Sequence, residues 1–496
     1  MLEWLRDCKV AGRFGSKNIT VVLSAVLLSL FLLSCGGSPG DSGAIEEEDV
    51  PQLLSVDPVE NSISVLLGSG IVATFDKNMD AGSASTFLVY GLQTGKLPGT
   101  YTGGNSKSLR FDANNNFEYG EQIEVVLTKG LTSTENVNLA SPFVYRFRAE
   151  AIGGRGTFTI SDTILGQTNT RGIISGDWDG DGDLDLASAN FGANSIDILA
   201  NDGSGDFTSV ATIAAQTGAS ALIAGDWNGD GDLDLASALF SVNRVEILAN
   251  DGSGNFTAFD SVAGQTGASA LTAGDWDGDG DLDLAVANFG ANRVDVLEND
   301  GTGDFETGLT ISGQTGARGL ASGDWDGDGD LDLAVANFGG NRVETHTNDG
   351  SGGFSSAESI AQTGVRALVT DDWDGDGDLD LASALFSVNR VEILTNDGSG
   401  GFASSDSIAT QIGATALTHG DWDGDRDLDL AVANFGGNQV DVLTNDGTGD
   451  FASSSTIAGQ SGPTGLTSGD WNGDNDLDLA AANQSNSRVH TLDNQD

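Results

Sequence analysis

The chain has 496 residues, with 74 Asp and Glu against 21 Lys and Arg, for a formal net charge of -53. An acidic surplus of that size opposes nucleic acid and anionic membrane surfaces, and neither is expected as a partner. From residue 150 onward there is no Lys and only ten Arg, so the position of each remaining cation carries information.

In chain order, Arg6, Lys9, Arg13 and Lys17 precede a mostly apolar run from Ile19 to Leu33. Its 15 residues fall short of the roughly 20 that a membrane-spanning helix needs, and the segment reads as an export signal over residues 1–34. Leu32-Leu33-Ser34-Cys35 resembles a bacterial lipobox. That resemblance implies cleavage before Cys35, lipidation of its thiol and attachment to a membrane through the lipid. Cys8 would leave with the signal and Cys35 would carry the lipid, so no disulfide would remain. By analogy with Gram-negative sorting, Gly36 after the cysteine favours the outer membrane. The expected location is the cell envelope, as an outer-membrane lipoprotein or at the cell surface. Residues 35–50 are rich in Gly, Ser and Glu and read as a tether.

Residues 51–150 show possible strands at Ile71–Phe75, Ser108–Phe111, Ile123–Leu127 and Phe143–Phe147. The stretch Val72 to Asp80, with Tyr119-Gly120 and Tyr145-Arg146-Phe147, resembles bacterial Ig-like domains. The resemblance implies a β-sandwich, expected to serve as a spacer.

The remainder, residues 151–496, is organised by one nine-residue acidic loop that recurs seven times at intervals of 48 or 49 residues. A period that regular means repeated structural units. The odd positions of the first loop are Asp177, Asp179, Asp181, Asp183 and Asp185, and those of the second are Asp226, Asn228, Asp230, Asp232 and Asp234. The third has Asp275, Asp277, Asp279, Asp281 and Asp283, and the fourth Asp324, Asp326, Asp328, Asp330 and Asp332. The fifth has Asp372, Asp374, Asp376, Asp378 and Asp380, and the sixth Asp421, Asp423, Asp425, Asp427 and Asp429. The seventh has Asp470, Asn472, Asp474, Asp476 and Asp478.

Carboxylates at positions one, three, five and nine would repel one another within so short a turn unless a cation lay between them. Calcium suits them, being a hard ion that takes about six to eight oxygens at flexible angles, with the position-seven carbonyl as a further ligand. Up to seven calcium ions are expected. No Cys or His lies near enough to favour a softer metal. Residue twelve from Asp177 is Ser188, which excludes an EF-hand or dockerin-type loop. Position six calls for a left-handed backbone, which Gly182 provides and Asn475 tolerates, whereas Arg426 is poorly suited to it. The sixth site is therefore expected to be the weakest.

Each period reads as four short strands: Ala221 to Ala224, Leu233 to Ala236, Val245 to Leu248 and Phe256 to Ala263 in the second unit. Four strands in this length match one propeller blade. The last unit stops after its third strand, Arg488 to Leu492. Phe158, Phe207, Phe256 and Phe305 each stand 19 positions before the next loop's first Asp. Phe158 to Gln167 is thus expected to supply the missing outer strand and to close the ring. At this point the loops, Asp324 to Asp332 and its fellows, resemble the FG-GAP or VCBS-type repeats of integrin alpha-chain propellers and many bacterial surface proteins. The fold expected overall is all-β, a seven-bladed calcium-binding β-propeller preceded by an Ig-like β-sandwich.

Arg244, Arg293, Arg342, Arg390 and Arg488 follow the turn between the second and third strands, and Arg171, Arg318 and Arg366 lie just before the first strand. In propeller topology both connections emerge opposite the acidic loops. Phe191, Phe240, Phe289, Phe338, Phe386 and Phe435 share those turns, so this face is expected to be aromatic and cationic, with the five turn arginines as its ligand-binding residues. Trp at position two of every loop is expected to pack structurally. His346, His419 and His490 fall at unlike places in their blades, and no catalytic residue is assigned. The function expected is that of a monomeric, calcium-stabilised envelope protein for binding or adhesion, recognising a glycan or protein ligand. The alternative is a polysaccharide lyase or hydrolase acting on an anionic glycan.

Overall fold

The structure, a computed structural model, describes residues 50–495. The expected signal, Cys35 and the tether up to residue 49 lie outside the described residues. Among those described, no helix is long and apolar enough to cross a membrane.

Residues 53–148 fold as two four-stranded sheets. One orders Leu53–Asp57, Ile71–Met79, Ser106–Ala113 and Gly99–Thr102; the other orders Gly95–Lys96, Phe87–Gly91, Gln122–Leu127 and Phe143–Arg148. Alternate residues of the long strands point inward, as the two-residue period of a strand dictates, and Ile71, Ala73 and Phe75 meet Phe87, Phe111 and Phe147 in a shared core. The four strands expected from sequence are all present, each extended by one to four residues beyond the expected bounds.

From residue 158 the chain forms seven four-stranded antiparallel sheets. In the third, Ala268–Gly274 is innermost, followed by Asp283–Asn288, Arg293–Asn299 and outermost Phe305–Ser312. The second strand is buried along its whole length in every sheet. Its composition explains how: Leu284, Ala285, Val286 and Ala287 combine branched residues with alanines, letting neighbouring sheets approach on both sides. The outermost strand is mostly exposed, with Phe305, Leu309 and Ile311 as its inward residues.

Each innermost strand packs against that of the next sheet, and the last, Pro463–Gly469, packs against the first, Thr170–Gly176. The seventh sheet takes its outer strand from the start of the series. Phe158–Leu165 pairs antiparallel with Arg488–Asn494, with Phe158 opposite Asn494 and Leu165 opposite Arg488.

Two contacts repeated at each junction hold neighbouring sheets together. Trp178 lies edge-on to Phe256 of the next sheet at 5.8 Å; Trp422 of the sixth sheet repeats this with Phe158 of the seventh at 6.2 Å, and Trp471 of the seventh with Phe207 of the first at 5.9 Å. All seven loop tryptophans are 0–2% exposed, so they pack as the regular spacing suggested. Beside each ring, the Asn that ends the third strand donates its side-chain N–H to the neighbouring Trp carbonyl: Asn250 to Trp178 at 2.9 Å, Asn299 to Trp227 at 3.0 Å and Asn494 to Trp422 at 2.9 Å. A buried amide with a partner is stabilising, and one left without a partner costs about 1–3 kcal/mol.

Candidate functional site

The acidic loops join the first and second strands of each sheet, and their geometry follows from backbone donors folding onto the first carboxylate. Asp177 accepts the N–H of Gly180 at 2.8 Å on one oxygen and that of Gly182 at 3.2 Å on the other. Asp179 and Asp181 each accept an N–H from two residues further on. The position-nine residue is anchored differently. Asp185 takes N–H bonds from Trp178 at 3.2 Å and from Asn201 at 2.8 Å, which ties the loop to the third strand of its own sheet.

These turns bring carboxylate oxygens within 4.8 Å of one another in five loops, through Asp177, Asp179 and Asp185; Asp275, Asp277 and Asp279; Asp324, Asp326 and Asp332; Asp372, Asp374 and Asp380; and Asp421, Asp423 and Asp425. In the second and seventh loops Asn228 and Asn472 stand where a third carboxylate would be. The position-nine carboxyls are 0–2% exposed. Burial, with neighbouring carboxylates adding to it, pushes Asp185 up to about 7, Asp332 to about 8 and Asp283 to about 9. An all-oxygen, anionic donor set held this closely fits a hard divalent cation such as calcium. The position-seven side chains stand apart from this cluster. Asp183 lies against Gly203 of the turn between third and fourth strands, where a Cβ would come within 2.5 Å of its carboxylate.

The sandwich, expected to be a spacer, is seated on this acidic face. Position-six carbonyls accept hydrogen bonds from it: Gly280 from the Tyr90 hydroxyl at 2.9 Å, Gly329 from the Val144 N–H at 2.9 Å and Gly377 from Asn61 at 3.0 Å. Arg146, paired with Glu124 at 2.6 Å, also reaches the carbonyls of Ser322 and Ala273 at the ends of two innermost strands. Arg148 pairs with Asp371 at 3.0 Å and contacts His419. Burial of the ring, and then the Arg148 charge, hold His419 down to about 3. On the far side Gln93 bonds Ser175 and Ser468, each at 3.0 Å.

The opposite face carries the phenylalanines and the remaining arginines. Phe191, Phe240 and Phe289 follow one another at 6.4 and 6.5 Å, and Phe338 meets Phe386 at 6.5 Å, forming part of a half-buried collar. Four of the five turn arginines have acidic partners two residues along the same strand: Arg244 with Glu246, Arg293 with Asp295 at 2.8 Å, Arg342 with Glu344 at 2.8 Å, and Arg390 with Glu392 at 4.0 Å. Arg488 occupies the equivalent place in the seventh sheet. Arg171, Arg318 and Arg366 project instead into the mouth of the ring and stack on the collar, Arg171 at 3.4 Å from the Phe191 centroid. His346 and His490 are buried and bonded to Gln314 and Gln460, one glutamine in each case from a series that recurs before every innermost strand.

Residues 177–237, 226–286, 275–335, 324–383, 372–432 and 421–481 match the FG-GAP-like repeat, and residues 47–149 match the bacterial Ig-like domain. No curated protein matches the chain. Solved structures similar to it include BBS1N in complex with ARL6DN, at 14% identity and a TM-score of 0.50 over 68% of this chain and 98% of that one. Virginiamycin B lyase from Staphylococcus aureus aligns at 16% identity and a TM-score of 0.49, over 68% of this chain and 99% of that one. An auxiliary nutrient binding protein from Bacteroides ovatus aligns at 12% identity and a TM-score of 0.38, over 90% of this chain and 99% of that one.

Proposed function

Because the chain belongs to the FG-GAP-like repeat family and also carries a bacterial Ig-like domain, we propose that residues 151–496 form a seven-bladed β-propeller braced by calcium, and that the protein is a binding or adhesion module of the cell envelope. Its ligand is a glycan or a protein, met by the face that bears the phenylalanine collar and the arginines. One observation carries this reading: the sandwich occupies the acidic face, through Tyr90, Val144, Asn61, Arg146 and Arg148, which leaves the opposite face to meet a partner. The calcium loops then hold the blades in register rather than touch the ligand. The proposal places a monomeric protein outside the cytoplasm, anchored through lipid on Cys35, where calcium is plentiful enough for sites of modest affinity. Nucleic acid is no part of it, given the charge of -53.

The test uses the full chain in mild detergent, with calcium or with a chelator, against an array of envelope glycans and surface extracts, reading both retention and newly formed chain ends. Calcium-dependent retention without cleavage is the expected result. Cleavage of a polysaccharide would replace the binding role with an enzymatic one, and an absence of retention from every surface would overturn the proposal.

A further inference from the structure

The seven innermost strands share one register, and their second residues ring the mouth on the face away from the sandwich. Four are hydroxyls that fasten neighbouring sheets. Ser220 reaches the carbonyls of Ala238 in its own sheet and Ala268 in the next, at 3.1 and 2.9 Å, and Ser269 repeats this with Ala287 and Ala317. Thr415 and Thr464 do the same at their junctions. At the other three places the hydroxyl is replaced by Arg171, Arg318 and Arg366. Three junctions thus forgo the fastening in order to direct a cation to the mouth.

The three arginines converge on a cavity of about 330 Å³ lined by the innermost strands of all seven sheets, and no Asp or Glu is among its lining residues. That is unexpected chemistry in a chain of 74 acidic residues. The ion pairs among the described residues engage other arginines and His419, and the Nε groups of Arg171 and Arg318 are buried without a hydrogen-bond partner. Aromatic faces hold the guanidiniums in place: Arg171 over Phe191, Arg318 between Phe289 at 4.5 Å and Phe338 at 5.1 Å, and Arg366 over Phe386 at 5.3 Å. A guanidinium held against an aromatic ring gives it no N–H···O bond, so the N–H fork that can grip an oxyanion by two bonds is not used up by this contact. Burial, and then the charges of Arg318 and Arg171, draw Arg366 down to about 10.

We propose that this mouth binds a compact ligand bearing two or more oxyanions, whether carboxylate, sulfate or phosphate, clasped jointly by Arg171, Arg318 and Arg366. The inference rests on the reading of this face as the ligand face, and it names the chemistry that the face selects. The hydroxyls of Ser220, Ser269, Thr415 and Thr464 are engaged between sheets, so the three arginines supply the recognition.

Calorimetric titration of the calcium-saturated full chain tests it, with a trisulfated heparin disaccharide, digalacturonate and fructose 1,6-bisphosphate as probes and cellobiose as the neutral control. At least one anionic probe should bind, and which one does so identifies the oxyanion. Arg318→Gln with Arg366→Gln should weaken that binding tenfold or more and leave the melting temperature equal or higher, because repulsion among the cations is relieved. Failure of all three probes, equal affinity in the double variant, binding of cellobiose as tight as that of the anions, or a lowered melting temperature marking the arginines as props would each overturn the inference. A protein retained on surface extracts yet indifferent to all three probes keeps its binding role and loses this site. Probe binding without such retention does the reverse.

Discussion

At φ +80°, Arg426 holds a left-handed backbone that glycine supplies in five of the loops and Asn475 in another. Its N–H still donates to Asp421 at 3.1 Å, so the loop keeps its shape. The strain is conformational rather than a matter of space, since a Cβ placed at Gly182, Gly231 or Gly377 meets nothing within 4 Å. A left-handed L-residue costs about 1–2 kcal/mol, and Arg426 would place a positive charge beside the calcium proposed for this loop. Arg426→Gly is therefore expected to raise the calcium affinity of the sixth loop several-fold and the melting temperature slightly, read by calcium titration and thermal melts; an unchanged titration would contradict this. The carboxylate clusters were legible in the sequence because their chemistry is local: nine residues contain both the acidic side chains and the turn that gathers them. The Arg171, Arg318 and Arg366 cluster was legible only as three cations at one place in the repeat. Their convergence on one cavity depends on the curvature of the whole ring.

Strand Phe158–Leu165 shows what an element adds beyond its residues. It pairs along its length with Arg488–Asn494, and Phe158 meets Trp422 of the sixth sheet edge-on. Removing residues 156–167 would leave the third strand of the seventh sheet as an open edge and Trp422 without its aromatic partner. Loss of a buried Phe alone is worth about 3–5 kcal/mol, and the unpaired strand adds to that. The truncated chain is expected to melt well below the intact one even with calcium present, and an equal melting temperature would argue against closure. This element could be read in advance because Phe158 keeps the 19-residue interval of its counterparts. The seat of the sandwich could not. Tyr90 bonds Gly280 and Arg146 bonds Ser322 across wide separations in the chain, between segments that sequence periodicity treats as independent, and a surface arginine reads the same in sequence as one that docks a domain.

For the molecule as a whole, the acidic loops act together through their position-nine carboxyls. Without an ion, burial raises Asp185, Asp234 and Asp380 to about 7, Asp332, Asp429 and Asp478 to about 8, and Asp283 to about 9, against an ordinary value of 3.8. A folded-state value above the unfolded one gives stability that is complete below the unfolded value and is lost as the pH rises through the folded value. The chelated protein should therefore melt at a lower temperature at pH 8 than at pH 5. With calcium the trend should reverse, because the ion requires the deprotonated form, and adding calcium at pH 7 should release protons. A chelated melting temperature that is flat over this range would contradict the prediction. The closing strand also bears on how the molecule is made. Phe158 is synthesised long before Asn494, its partner in the register. At about 5–20 residues per second the first strand waits on the order of tens of seconds for the last. For that interval it is an unpaired edge, and the seventh sheet of a neighbouring copy offers it the same register. The bond that makes the finished ring self-contained is therefore the one most open to exchange between nascent chains.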